Sequence, residues 1–181
     1  MPYSDAGAKL ILLDHVKKYG MPRTILDIGM GAGQYGKHFF DIDPTINMIG
    51  IEIFEPYITK KWEWAALYDI HQIYKKIHIA DMRTFDYSTV DADLVIAGDV
   101  LEHVQKHEAI EVVRKLKEKY DWILVVLPIY FFFEQGPNNG YGNIYEAHLH
   151  QWTKEEGIND LDLAYVCDAG CCGLYEWRKT K

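Results

Sequence analysis

The sequence predicts an α/β fold: a doubly wound, mostly parallel sheet with helices on both faces. Three observations carry that prediction. Short apolar runs alternate with amphipathic stretches along most of the 181 residues, the pattern of repeated strand–helix–strand units. The first run, Thr24–Ile28, breaks into glycines at 29, 31 and 33 and then into a helical pattern from Gln34. Such a loop lets a ligand approach the backbone closely at a helix N-terminus. Acidic residues follow later apolar runs, at Glu52, Asp81 and Asp99, and the carboxyl ends of strands are where such sheets bind ligands.

Each element follows from local pattern. Residues 5–19 set Leu10, Leu13 and Val16 at helical spacing and end at Gly20-Met21-Pro22, a helix stop. Strands are expected over 24–29, 47–53, 77–81, 94–98 and 122–127. Helices are expected at 34–40, at 55–74 with Trp62, Ala65, Ala66, Ile70 and Ile73 on one side, and at 104–119. Thr153 and Glu156 have capping-box spacing, and Gly157 cuts the helix they begin to a turn or two. Two further strands, about 162–168 and 173–178, flank Ala169-Gly170-Cys171-Cys172-Gly173. The length suits one domain with a full core. It divides into an N-terminal helix (1–22), a core (23–128), a loop rich in glycine, asparagine and aromatics (129–152) and the C-terminal strands (153–181).

Composition narrows the partners. The net charge is −8, and the basic clusters, such as Lys17-Lys18, Lys60-Lys61 and Lys75-Lys76, are small. A protein that grips nucleic acid by its phosphates shows a broader basic face, so nucleic acid is not the expected substrate. The longest apolar run, Ile123–Phe133, falls short of the roughly 20 residues a membrane helix needs. No secretory pattern precedes it, and a cytoplasmic protein without membrane contact is expected. Cys167, Cys171 and Cys172 have no zinc spacing, and adjacent cysteines make a poor disulfide, so reduced thiols are expected.

Gly31, Gly33 and Gly36 spell G-x-G-x-x-G, and Glu52 lies nineteen residues past Gly33. These features alone fit a nicotinamide or flavin dinucleotide. Asp27, two residues before Gly29, opposes that reading, because a carboxylate beside a pyrophosphate is repulsive and beside an ammonium or sulfonium attractive. A cationic nucleoside suits the loop better.

At these residues the chain resembles the class I S-adenosylmethionine-dependent methyltransferases. Their hydrophobic-D/E-x-G-x-G-x-G motif is met by Asp27, Gly29, Gly31 and Gly33, and their acidic end of strand two by Glu52. Asp81 in I-H-I-A-D-M matches the third motif, and Asp99 in G-D-V-L-E-H-V the fourth. The resemblance covers roughly 24–128 and implies a seven-stranded sheet closed by an antiparallel C-terminal strand. The shortened helix after Thr153 departs from the family and leaves the far edge thinly covered, open to a partner subunit such as a homodimer.

The resemblance also implies roles. Asp27 would face the cofactor near its methionine end, with Gly29, Gly31 and Gly33 forming the loop. Glu52 would accept both ribose hydroxyls, with Ile53 beside it. Asp81 and Met82 would flank the adenine, although Asp81 equally suits an N-cap for a turn at 82–85, and Phe54 either the adenine face or the core. Asp99 would bind the ammonium, position a substrate or act as a base, and His103 suits proton removal near neutrality. Tyr141, Tyr145, His148, His150 and Trp152 would line a substrate lid, the last three alternating along one face of an extended segment. No metal is expected, although His148 and His150 with Glu146 have ligand types. The implied function is methyl transfer from S-adenosylmethionine to a small-molecule acceptor, through in-line alignment. The alternatives are a protein or nucleic-acid methyltransferase working with a partner, or a cofactor-binding protein without transferase activity.

Overall fold

The computed structural model describes residues 6–59, 69–130 and 143–179. Its centre is a seven-stranded sheet in the order β3-β2-β1-β4-β5-β7-β6. The strands are β1 (Thr24–Ile28), β2 (Asn47–Glu52), β3 (Tyr74–Ile79), β4 (Leu94–Gly98), β5 (Trp122–Pro128), β6 (Ala164–Ala169) and β7 (Cys172–Arg178). β1 to β5 pair in parallel, and β7 inserts antiparallel between β5 and β6. The expected fold class therefore stands, including the antiparallel closure. β1 and β4 meet at the sheet centre, where the strand order reverses and a crevice opens at the carboxyl ends.

Burial follows position in the sheet. β4 is buried throughout, as a strand covered on both faces must be. Edge strand β3 exposes Lys75 and Lys76, charges that discourage edge-to-edge pairing. One apolar layer joins α1 (Ala6–Tyr19) and α2 (Gln34–Ile42) to the sheet through Leu12, Val16, Phe39 and Met48. The opposite layer joins α5 (Lys106–Lys119) through Val112, Val113 and Leu116 to Leu26, Val95 and Trp152.

Three elements differ from expectation. The long helix over 55–74 is not continuous: α3 spans Pro56–Thr59 and α4 spans Ile70–Ile73. Asp69 is extended and its carboxylate accepts from the His71 amide, so α4 starts as a separate capped helix. Trp62, Ala65 and Ala66 lie outside the described residues. β3 begins at Tyr74, three residues early, because Tyr74 is an inward-facing buried residue of the strand. The helix expected from 104 starts at Lys106, since Val104 is extended and Gln105 with Glu108 makes the capping box. The Thr153–Glu156 box is present and opens the short α6 (Lys154–Asn159). No helix among the described residues is long and apolar enough to cross a membrane.

Candidate active site

A cavity of about 490 Å³ opens at the carboxyl ends of β1, β2 and β4, within the range of small-ligand pockets. Its floor is the loop after β1. Gly29 adopts φ 68° and its amide donates to Ile51 O at 2.8 Å. A Cβ there would collide with the Val100 side chain, so the sequence must place glycine at this turn. Gly31 and Met30 also line the cavity.

Glu52 ends β2 beside this loop and is buried. Its Oε2 accepts from the Gly31 amide at 2.9 Å and its Oε1 from the Phe54 amide at 2.8 Å. Burial pushes its carboxyl up to about 7 against the lowering effect of those amides. Each oxygen keeps a further lone pair for a ligand hydroxyl. Ile53 and Met82 line the cavity beside it.

Asp27 does not face the cavity as expected. Alternation along β1 puts it on the side of Ile25, where it is buried and absent from the cavity lining. The Tyr74 hydroxyl donates to its Oδ2 at 2.5 Å, and no donor among the described residues reaches Oδ1. Burial, with a smaller effect from Glu52, raises its carboxyl to about 7 against the pull of Tyr74 and Lys9. Gly33 is also absent from the lining: it is the left-handed N-cap of α2, packed toward Ile70 and Tyr74.

Asp81 borders the cavity, but its side chain is engaged. Arg83 clamps it, with Nε 2.9 Å from both carboxylate oxygens and Nη2 2.5 Å from Oδ2, and the same guanidinium reaches Glu108. The Arg83 amide also bonds Oδ1, so the turn reading of Asp81 holds as well. Arg83 keeps this carboxyl below its usual range.

Asp99 follows β4 with φ 52°, a left-handed conformation that an aspartate tolerates better than most residues. The turn directs its carboxylate to Tyr35, whose hydroxyl donates to Oδ2 at 3.0 Å, and to the Cys172 thiol 3.5 Å from Oδ1. A 3₁₀ turn, Leu101–His103, then brings Glu102 and His103 to the cavity wall. His103 Nδ1 lies 3.3 Å from Ala147 O; a carbonyl only accepts, so Nδ1 carries the hydrogen and Nε2 the lone pair. Burial lowers the His103 pKa and raises that of Glu102, which Asp99 raises further.

The loop's described part, from Asn143 onward, closes the far wall. Glu102 O accepts from the Leu149 and His150 amides at 2.8 and 3.2 Å, and the Tyr57 hydroxyl donates to Glu146 at 2.8 Å. Tyr145 and His148 line the cavity, and the His148 ring meets that of His103 edge-on at 4.9 Å. The other lid expectations are corrected. His150 turns away to Glu156, 3.4 Å distant, and Trp152 is fully buried in the core beneath α5. Of His148, His150 and Trp152, His148 alone lines the cavity, next to Ala147 and Leu149, and the two bonds to Glu102 O anchor the segment as it leaves the cavity. Tyr141 lies outside the described residues.

Sequence reasoning missed Lys9, Tyr35, Tyr57, Tyr74 and Arg83. Lys9 carried a signal: it sits four residues before Leu13 and seven before Val16, on the buried face of α1, and is 3% exposed while lining the cavity. A lysine within an apolar stripe needs a reason. The tyrosines read as ordinary core and carried no such signal.

A sequence model of a methyltransferase domain matches residues 26–119 of the chain. Among solved structures it is similar to the small RNA methyltransferase HEN1, at TM-score 0.71 and 16% identity over 99% of this chain and 27% of that one. It is similar to PigF with S-adenosylhomocysteine, at TM-score 0.68 and 15% identity over 93% and 54%. Human N-acetylserotonin methyltransferase in complex with S-adenosylmethionine follows at 0.62 and 17% over 88% and 48%. At these identities the likeness is one of fold. The chain spans about half the length of the first solved structures it matches. No curated protein sequence matches it.

Proposed function

We propose that this chain, which belongs to the class I S-adenosylmethionine-dependent methyltransferases, transfers a methyl group to a small-molecule acceptor within the cavity, as a single domain. The observation that carries the reading is the charge of the lining. Glu52, Asp81, Asp99, Glu102 and Glu146 border one cavity, with Lys9 and Arg83 as counter-charges and Arg83 already committed to Asp81. An acidic pocket beside a glycine loop fits a cationic nucleoside and repels a dinucleotide pyrophosphate. When bound, that cofactor supplies a methyl group activated by a sulfonium.

The chain's own residues divide the remaining work. Glu52 accepts the ribose hydroxyls through its free lone pairs. Ile53 and Met82 give the adenine apolar walls, and Asp81 accepts from its amine beside them. Gly29 and Gly31 let the amino-acid end lie against the backbone, with Gly33 setting the helix behind them. Asp27 acts indirectly, fixing Tyr74 and the loop from below. Asp99, held by Tyr35, orients the cationic end or the acceptor. His103 is neutral, with Nε2 free to accept the acceptor's proton. His148 and Tyr145 form the acceptor wall and exclude water.

The net charge of −8 favours a small acceptor over a nucleic acid. Calorimetric titration with S-adenosylmethionine, S-adenosylhomocysteine and NAD⁺ tests the cofactor, using wild type and Glu52→Ala. Micromolar binding of the sulfur nucleosides, lost in the variant and absent for NAD⁺, is expected. NAD⁺ binding alone overturns the reading. A labelled-methyl screen over hydroxyl and amine small molecules, RNA and protein then tests the acceptor, and label confined to RNA or protein refutes the small-molecule assignment.

A further inference from the structure

Glu102, His103 and His148 bring one ligand atom each to within 4.8 Å of one another. Residues forty-five positions apart meet because Glu102 O holds the Leu149 and His150 amides, which seats His148 over the 3₁₀ turn. The geometry matches a prepared ligand set. His103 gives its Nδ1 hydrogen to Ala147 O, as metal-binding imidazoles do to fix the other nitrogen as donor. Glu102 is 2% exposed, and no donor among the described residues reaches its Oε2. Asp99 and Glu146 add negative charge around it. A buried carboxylate oxygen without a donor, crowded by two more carboxylates, is what ordinary packing avoids and what a cation corrects.

We propose that Glu102, His103 and His148 bind a divalent first-row transition ion whose open positions face the cavity and hold a hydroxyl acceptor. Two imidazoles and one carboxylate suit ions from Mn²⁺ to Zn²⁺ better than Mg²⁺ or Ca²⁺, which take oxygen ligands. Three protein ligands leave positions open, as a catalytic rather than a structural site requires. The part concerning the acceptor rests on the methyl-transfer reading above. With the ion bound, His103 Nε2 is a ligand, and the ion replaces it as the activator of the acceptor: a metal-held hydroxyl loses its proton near neutral pH, and the proton goes to solvent. The alkoxide lone pair forms the C–O bond, the C–S pair returns to sulfur, and the sulfonium becomes a neutral thioether.

Cobalt titration of chelator-stripped protein tests the site without reference to turnover. One equivalent of Co²⁺ giving visible d–d bands is expected in wild type. Glu102→Gln and His148→Ala should each weaken binding at least about tenfold. S-adenosylhomocysteine binding and circular dichroism, measured on the same samples, report cofactor-site integrity and folding. Should Glu102→Gln fail to fold, His148→Ala, on the covering segment, decides the matter. Wild type without Co²⁺ bands, or a folded variant that binds Co²⁺ as wild type does, overturns the metal site. Loss of S-adenosylhomocysteine binding with Co²⁺ binding intact overturns the cofactor reading instead. Wild type that binds both, with an acceptor screen positive for amines alone and unaffected by chelator, refutes the hydroxyl role.

Discussion

Asp27→Asn should stabilise the unliganded protein at alkaline pH and leave it unchanged in acid. The folded carboxyl ionises near 7 and the unfolded one near 3.8, so between those values the folded state holds an extra proton. The sign follows: this group's contribution is present below about pH 4, is lost as pH rises to about 7, and is then constant. At about 1.4 kcal/mol per pKa unit, the loss by pH 8 is about 4 kcal/mol. For a chain of this size that is a shift of roughly 10 °C in Tm. Asparagine keeps an oxygen for the Tyr74 hydroxyl and carries no charge. Histidines with lowered pKa, such as His38 and His78, and paired carboxylates such as Asp81 also bend the profile. They are common to both proteins, so the difference between them isolates position 27. Urea unfolding at pH 5, 6, 7 and 8 without ligand gives that difference. Parallel curves for the two proteins would refute the reasoning, because Asp27 would then be ionised in the fold at no cost.

Other consequences are as direct. Burial holds the Glu52 carboxyl near 7, so S-adenosylhomocysteine affinity, measured calorimetrically, should rise between pH 6 and 8 and be flat in Glu52→Gln. Trp152→Ala removes a fully buried side chain and should cost about 3–5 kcal/mol in urea unfolding; at a temperature where the variant remains folded, S-adenosylhomocysteine affinity should match wild type. Asp99 has φ 52°, so Asp99→Asn should keep wild-type stability while Asp99→Ala loses about 1–2 kcal/mol. Both should lose methyl transfer, which a labelled-methyl assay separates from the stability effect.

The motif spacing located the centre of the site, since Glu52, Asp81 and Asp99 all follow strands whose ends meet in one crevice. What escaped was orientation. Asp27 is spaced as a cofactor ligand, yet strand alternation turns it into the layer with Ile25, and nothing in one sequence says which face of β1 carries the ligand. His148, His150 and Trp152 are expected to share one face, but only His148 lines the cavity, and Glu102 O holds the chain as it leaves. Tyr74 was read as the end of a helix because its apolar neighbours Ile70 and Ile73 fit that period. Asp69 broke the period with a cap, a local competition that a window average conceals. Arg83 is held by Asp81, two residues away, and by Glu108, twenty-five residues away; the second partner lies beyond any local pattern.

Tyr74 links three positions that a motif reader would treat as separate. Its hydroxyl serves Asp27, and its ring occupies the space that a side chain at Gly36 would need. The third glycine of the loop pattern therefore leaves room for a tyrosine from the edge strand, and its tolerance is set by Tyr74, thirty-eight residues further along the chain. Alanine at 36 becomes admissible with a smaller residue at 74, and that residue in turn strands the aspartate. These three sites form one epistatic unit: homologues and engineered variants should exchange them together, and libraries that vary the glycine loop alone should lose folding before they sample new specificity.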